Sequence, residues 1–243
     1  MRIKIENEGI FMILTIMTYN IHGGKDIDDN LTIYGISNFI KQSKADVIGL
    51  QEVDTYLGRS YFLNEIKYLA KRLKMYYAFG PNIKIGLGSF GNGILSRYPI
   101  VKKNNYHLTS TGERRGLLSV LIELDSYRKI WFLTTHLGLN SKERVMQSQE
   151  ILKIIKRLDY PVILTGDFNE TPENEAYSII NHVLVDGAFS ANSDYYSYLD
   201  GDEPVRIDYI MHSKDISVES IKAVDCNLSD HFPVIASVRC NFD

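Results

Sequence analysis

Eight polar side chains stand at or near the ends of short apolar runs: Asn20, Glu52, His136, Asp167, Asn169, Asp208, Asp230 and His231. Asn20 closes FMILTIMTYN, Glu52 follows DVIGL, and His136 follows IWFLTT. Asp167 and Asn169 follow VILTG, Asp208 interrupts VRIDYIM, and Asp230 with His231 opens HFPVIASV. If those run ends gather on one rim, four carboxylates, two carboxamides and two imidazoles share a pocket. Carboxylates that close repel one another and take up protons unless a cation sits among them. The donors are mostly oxygen, with no cysteine, which suits Mg²⁺ or Mn²⁺ better than a structural zinc ion.

The runs that must position these residues are short and rich in Ile, Val and Leu, which marks strands buried on at least one face. Helical spacing appears at Ile66, Leu69, Ala70 and Leu73, and again at Ile151, Ile154, Ile155 and Leu158. Weaker helical patterns cover 31–43 and the segment after Thr171, where Thr-Pro-Glu offers an N-cap, a first-turn proline and an early carboxylate. Strands outnumber helices in irregular order, and 94–100 with 117–124 reads as a hairpin-like pair. An α/β (α+β) sandwich of two mixed sheets flanked by helices is therefore expected, rather than a doubly wound parallel sheet.

Nothing in the composition marks a domain boundary, so residues 1–243 are expected to form one domain, with 1–11 an N-terminal extension if Met12 is the start. A formal charge of -3, from 27 basic and 30 acidic residues, argues against a protein that grips nucleic acid mainly through a basic surface. It leaves room for local capture of a phosphate by a cation and a few arginines. The apolar stretch GIFMILTIM is far short of the ~20 residues of a membrane-spanning helix. No small-residue cleavage site follows it, so a cytoplasmic protein without a membrane anchor is expected. Cys226 and Cys240 lack metal or redox spacing and read as reduced thiols. The glycine-rich segment 80–93 lacks the GK[ST] ending of a phosphate-cradling loop and reads as a hairpin or substrate loop.

Taken together, MTYNIHGG, IGLQEVD, GNGILSRYPI, ERRGLL, TTHLG, LTGDFNETP, RIDYI and SDHFPV resemble the endonuclease/exonuclease/phosphatase superfamily, in family order from about residue 12 to 238. The resemblance implies a four-layer sandwich and a divalent-metal-dependent hydrolase that cleaves a phosphate ester, most readily a phosphodiester, by in-line attack of water. It implies that Glu52 is the main metal ligand, with Asn20 and Asp230 completing the metal side. Asp208 would hold His231 in one tautomer and orientation, as a carboxylate accepting from the distal ring nitrogen does. Asp167 would orient or deprotonate the water, or hold a second ion, and Asn169 would donate to a phosphate oxygen. His136 resembles the histidine that deoxyribonuclease-like and sphingomyelinase-like branches aim at the phosphate from the other side, and could protonate the leaving oxygen.

Singly, each residue also has a structural reading: Asn20 as a turn former before Gly23 and Gly24, or Asp167 and Asn169 in an Asx-turn. Eight such coincidences in family order are a far weaker explanation than one site. Arg114 and Arg115 are balanced between a solvated loop and a phosphate clamp, with Arg114 taken as the substrate contact. His22, His107, His182 and His212 lack motif support, and Arg144 with Gln147 reads as a brace for the THLG loop. The substrate stays open among nucleic acid, a phospholipid headgroup and a small phosphorylated metabolite, and no protein partner is expected. The alternative is a catalytically silent module of the same fold that binds a phosphate-bearing ligand.

Overall fold

The computed structural model of the chain describes residues 2–6 and 9–242. The strands are β1 Arg2–Glu6, β2 Gly9–Asn20, β3 Val47–Thr55, β4 Tyr76–Ile85, β5 Gly88–Ser96, β6 Ile100–His107, β7 Gly116–Glu123, β8 Lys129–His136, β9 Val162–Asp167, β10 Val185–Asp186, β11 Tyr198–Asp200, β12 Glu203–Val205, β13 Asp208–His212, β14 Ile216–Ala223 and β15 Val234–Phe242. The helices are α1 Ile33–Ser43, α2 Glu65–Leu73, α3 Ser141–Ile155, α4 Glu175–Asn181 and α5 Gly187–Ser190.

One sheet runs β14-β15-β2-β3-β5-β4, with β1 added beside β2, and the other runs β10-β13-β9-β8-β7-β6. Each is mixed: β2–β3 and β8–β9 are parallel, and their other pairings are antiparallel. Strand alternation then decides the layers. Leu14, Ile16 and Val47 from the first sheet meet Leu118, Val120, Ile130, Phe132, Ile163 and Ile210 from the second in the core between them. The opposite faces carry Met17, Tyr19, Ile48 and Leu50 under α1 and α2, and Leu117, Trp131, Leu133 and Leu164 under α3 and α4. The result is the sandwich expected, with helices outside two sheets.

The same alternation continues past the apolar core. Thr18 and Asn20 extend the inward face of β2, Thr134 and His136 that of β8, Thr165 and Asp167 that of β9, and Asp208 that of β13. A buried polar step therefore separates hydrocarbon from site. In it Gln51 Nε2 donates to Thr134 Oγ1 at 2.7 Å and to Thr18 Oγ1 at 3.2 Å. Gly49 lies in this step, where an added Cβ would stand 2.2 Å from Thr165 Oγ1 and 2.8 Å from Thr134 Oγ1. Gly49→Ala is thus expected to force the sheets apart and to lower stability by about 1–3 kcal/mol, as overpacking does. For a chain of this size that is a fall in Tm of several degrees, readable by calorimetry.

Two local expectations change. Residues 94–100 and 117–124 do not pair: β5 joins the first sheet, and β7 pairs instead with β6, whose sequence IVKKNNYH is largely exposed and carries no apolar run. The Thr171-Pro172 segment is a turn, closed by Asn174 N–H donating to Thr171 O at 3.2 Å, and α4 begins only after Asn174. Helix α3 starts at Ser141, capped by the Asn140 side chain accepting from Lys142 N and Glu143 N, and holds Arg144 and Gln147 in its first two turns. Residues 2–6 pair antiparallel with β2 at 9–13. Both cysteines are free thiols. Among the described residues no helix is long and apolar enough to cross a membrane.

Candidate active site

All the inward-facing site residues arrive at one end of the sandwich because the parallel pairs β2–β3 and β8–β9 end there together. His136 lies opposite Asp167 in the β8–β9 ladder, and Asp167 lies opposite Asp208 in β9–β13. Glu52 comes from a bulge: the register of β3 against β5 shifts between Leu50 and Val53, and Glu52 has φ 56°. A non-glycine residue in the left-handed region is unusual, and a bulge re-aims its side chain out of the ladder.

Asn20 is the hub. Its Nδ2 donates to Glu52 Oε1 and Asp167 Oδ2, both at 3.0 Å, and lies 3.5 Å from His231 Nε2. Its Oδ1 accepts from His22 N–H at 3.1 Å, which fixes which end of the amide faces the carboxylates. His231 Nδ1 lies 2.8 Å from Asp208 Oδ2, and its Nε2 is 3.6 Å from Asp167 Oδ2. His136 Nε2 approaches the same Asp167 oxygen at 3.3 Å. Asp230 is joined to the group through Ser229, whose hydroxyl lies 2.8 Å from Asn20 O and 3.1 Å from Asp230 Oδ1. Asn169, at φ 48°, gives its N–H to Asp167 Oδ1 and its Nδ2–H to Leu137 O, both at 2.9 Å.

The electrostatics follow from burial and proximity. Burial pushes the Asp167 carboxyl up to about 7, helped by the charge of Asp208 and opposed by His231 and by donors from Asn169 and Asn20. Burial alone would discharge His231, but the carboxylates of Asp208 and Asp167 outweigh it and push the imidazole up to about 10. His136 is driven well below its ordinary value, first by burial and then by the charges of Arg115 and His231. The site therefore holds one imidazolium and one neutral imidazole on either side of a carboxyl that titrates near neutrality.

Several residues here lacked a sequence signal. His22 Nδ1 lies 3.3 Å from Asp230 Oδ2, and that bond raises the imidazole against the opposing effect of burial. Tyr198 packs on His231 with ring centroids 4.7 Å apart, brought there by an isolated bridge between the two residues. Of the paired arginines, Arg114 is exposed, whereas Arg115 is 5% exposed, with Nη1 3.0 Å from Glu113 and Nε without a partner among the described residues. Arg144 and Gln147 do brace the THLG loop: Gly138 N–H donates to Gln147 Oε1 at 2.9 Å, and Arg144 Nη1 donates to Leu139 O at 2.7 Å.

Beneath Glu52, Glu65 anchors the end of β3 by accepting Asp54 N–H at 2.7 Å, while Asp54 receives two bonds from Arg59 at 2.8 and 2.7 Å. Glu65 is fully buried, and burial pushes its carboxyl up to about 8 despite the Asp54 N–H and Arg59. Since its folded value lies above the ordinary 4.5, its contribution to stability is complete below pH 4.5 and is lost as pH rises through about 8. Glu65→Gln keeps an acceptor for Asp54 N–H and carries no titrating proton. Its stability is expected to gain on the parent by a few kcal/mol between pH 5 and pH 9, read from urea melts across that range.

The donor set fits a hard divalent cation better at one place than another. Asp167, Asp208 and His231 have ligand atoms within 4.8 Å of one another and could hold a metal ion. There, however, the His231–Asp208 hydrogen bond already occupies the facing atoms. Glu52 and Asp230 are both only partly buried, and Glu52 accepts one side-chain bond, at Oε1. Mg²⁺ keeps several waters and binds through one or two carboxylates, which suits this open side of the pocket.

A family model for the Endonuclease/Exonuclease/phosphatase family matches residues 17–231. An uncharacterized protein, YbhP of Escherichia coli K12, is 25% identical over 246 aligned residues, covering 92% of this chain and 95% of YbhP. Among solved structures, a mannosyl-6-phosphatase of Bacteroides thetaiotaomicron superposes with TM-score 0.76 at 23% identity, covering 93% of this chain and 99% of that one. D. rerio TDP2 complexed with a single-strand DNA product superposes with TM-score 0.73 at 21% identity, covering 93% and 98%. With a match spanning most of its length, the chain belongs to the endonuclease/exonuclease/phosphatase family.

Proposed function

We propose that the chain is a divalent-metal-dependent phosphoesterase that hydrolyses a phosphodiester. The observation that carries this reading is the file Asp208–His231–Asp167, with contacts of 2.8 and 3.6 Å, bridged by Asn20 to Glu52 at the mouth. Phosphoryl transfer needs negative charge neutralised on the phosphate and a water held in line, with little covalent work by the protein.

Asp167, titrating near neutrality, takes the proton of water as its oxygen bonds to phosphorus and the bond to the leaving oxygen breaks; the departing alkoxide takes a proton from solvent. The His231 imidazolium, fixed at Nδ1 by Asp208, donates from Nε2 to a phosphate oxygen. His136 is held neutral, so it serves as a hydrogen-bond donor rather than the acid that protonates the leaving group. Arg115, rather than the exposed Arg114, lies near enough to His136 to act on its charge and has a buried Nε without a partner among the described residues, which would donate to a phosphate oxygen. Mg²⁺ or Mn²⁺ held by Glu52 and Asp230 would neutralise charge on the bound phosphate. Asn20 orients Glu52 and Asp167 through its Nδ2, and Asn169 ties the Asp167 loop to the THLG loop.

The deciding experiment is hydrolysis of bis(p-nitrophenyl) phosphate by purified protein with EDTA, Mg²⁺ or Mn²⁺. Turnover only with the cation is the expected result. Tight metal and phosphate binding with no turnover across a panel of diesters and monoesters overturns it in favour of a silent binding module.

A further inference from the structure

The loops around the mouth expose several large apolar side chains. Seven such residues are at least 70% exposed among the described residues: Ile27, Tyr61, Phe62, Leu87, Tyr127, Leu139 and Phe189. The first three, with Leu87 and Leu139, lie on the loops after β2, β3 and β8 and on the β4–β5 turn. All of these open at the catalytic end, since β5 pairs its N-terminal Ser89 with Thr55 at the end of β3. Only Tyr127 and Phe189 lie elsewhere. The densest part is one lip formed by Tyr61 (78%), Phe62 (70%), Ile85 (56%) and Leu87 (97%). Its two loops touch: a Cβ on Gly88 would meet Leu57 Cδ2 at 2.5 Å and Tyr56 O at 2.6 Å.

The backbone holds this lip out at a cost. Tyr56, Tyr61 and Phe62 all have positive φ, of 57°, 53° and 58°. Glycine or asparagine adopts that conformation with less strain, yet the chain places aromatic residues there and turns two of them almost wholly to water. Exposed apolar groups gathered at a site mouth mark a surface that something covers.

We propose that the lip seats on a lipid surface and that the phosphate ester hydrolysed is borne by a lipid, a reading that rests on the phosphoesterase function above. The occupant must offer a phosphate ester to the pocket and hydrocarbon to the lip beside it, which is the chemistry of an amphiphile. A nucleic acid strand crossing the mouth would instead run from apolar side chains to the exposed carboxylates of Asp200, Asp202 and Glu203 on the β11–β12 ribbon, whose Tyr198 packs on His231. Those carboxylates also favour a zwitterionic headgroup over an anionic one.

The test uses the full chain, phosphatidylcholine vesicles and the double variant Phe62→Ser/Leu87→Ser, which alters two exposed side chains and no site residue. The parent is expected to sediment with vesicles at both 0.1 and ~0.5 M NaCl, because an apolar contact is little screened. The variant is expected to lose about tenfold or more in partitioning and in turnover of vesicle phosphatidylcholine. Its hydrolysis of soluble bis(p-nitrophenyl) phosphate should stay within about twofold of the parent. The proposal is overturned if the parent remains in the supernatant, if the variant partitions equally well, or if the substitutions change only the mass of the protein in solution, which would give the lip to a second copy. Vesicle binding by a parent that cleaves no soluble diester counts against the phosphoesterase reading alone and leaves the lipid contact standing.

Discussion

Asp167→Asn is expected to lower kcat/KM on a soluble aryl phosphodiester by roughly 10²- to 10⁴-fold, the range removed with a general acid or base. The same change should leave the fold intact. Asp167 is 1% exposed, and its carboxyl sits between two imidazoles and the amide of Asn20. Asparagine is nearly isosteric and keeps the oxygen that accepts from Asn169 N–H. It also removes a buried charge facing Asp208. Because Asp167 is raised from 3.8 to about 7, its contribution to stability is complete below pH 3.8 and is lost as pH rises through about 7. The variant should therefore melt at or above the parent temperature at pH 8 while being almost inactive. A variant retaining more than about a tenth of parental turnover, properly folded, would remove Asp167 from the chemistry.

The pH profile of the parent carries a second signature of the same pair. Activity should rise as Asp167 ionises through about pH 7 and fall as His231 loses its proton near pH 10. Asp208 is the largest influence holding His231 up and its charge also raises Asp167, so Asp208→Asn should bring the alkaline limb down and shift the acid limb down with it. An alkaline limb that stays put in that variant assigns the upper ionisation to another group.

Glu52→Gln is the other substitution with a large expected effect. The amide still offers an oxygen to Asn20 Nδ2, so the hydrogen-bonded frame survives, but the charge facing a cation is gone. Turnover should drop roughly 10²-fold at fixed Mg²⁺ and recover in part at much higher concentration, the mark of weakened ion binding. A companion measurement does not depend on turnover. At a Mg²⁺ concentration ~100 times its Kd, the parent should gain about 2.7 kcal/mol against unfolding, and the variant should gain far less. Equal Mg²⁺ stabilisation of parent and variant would move the ion away from Glu52, towards the Asp167–Asp208–His231 cluster.

The chain states much of this site plainly because most of its residues lie at or near the end of a strand they can be read from. FMILTIMTYN, KIWFLTTH and PVILTGD are apolar runs whose inward parity carries on into Asn20, His136 and Asp167. Strand period is a local property, so the sequence shows both the strand and the face. It fails for β6, because IVKKNNYH lies largely exposed at the edge of the second sheet and has no apolar pattern to announce it. It fails at Thr171, because a proline that could open a helix serves equally well in a turn, and Asn174 three residues on captures the capping position.

By itself, then, the sequence determined the two-sheet class, the order of the site-bearing strands, and the set of acid, amide and imidazole groups at their ends. Only the tertiary structure decided how those groups are arranged. Which face of the Asn20 amide meets the carboxylates depends on His22 N–H, and the aim of Glu52 depends on a bulge opposite β5. The burial of Arg115 beside an exposed Arg114, the contrast between a charged His231 and a neutral His136, and the apolar lip arise from contacts between segments far apart in the chain. Local pattern cannot encode these, because burial and the electrostatic field at a side chain are set by whatever the sheet order brings beside it.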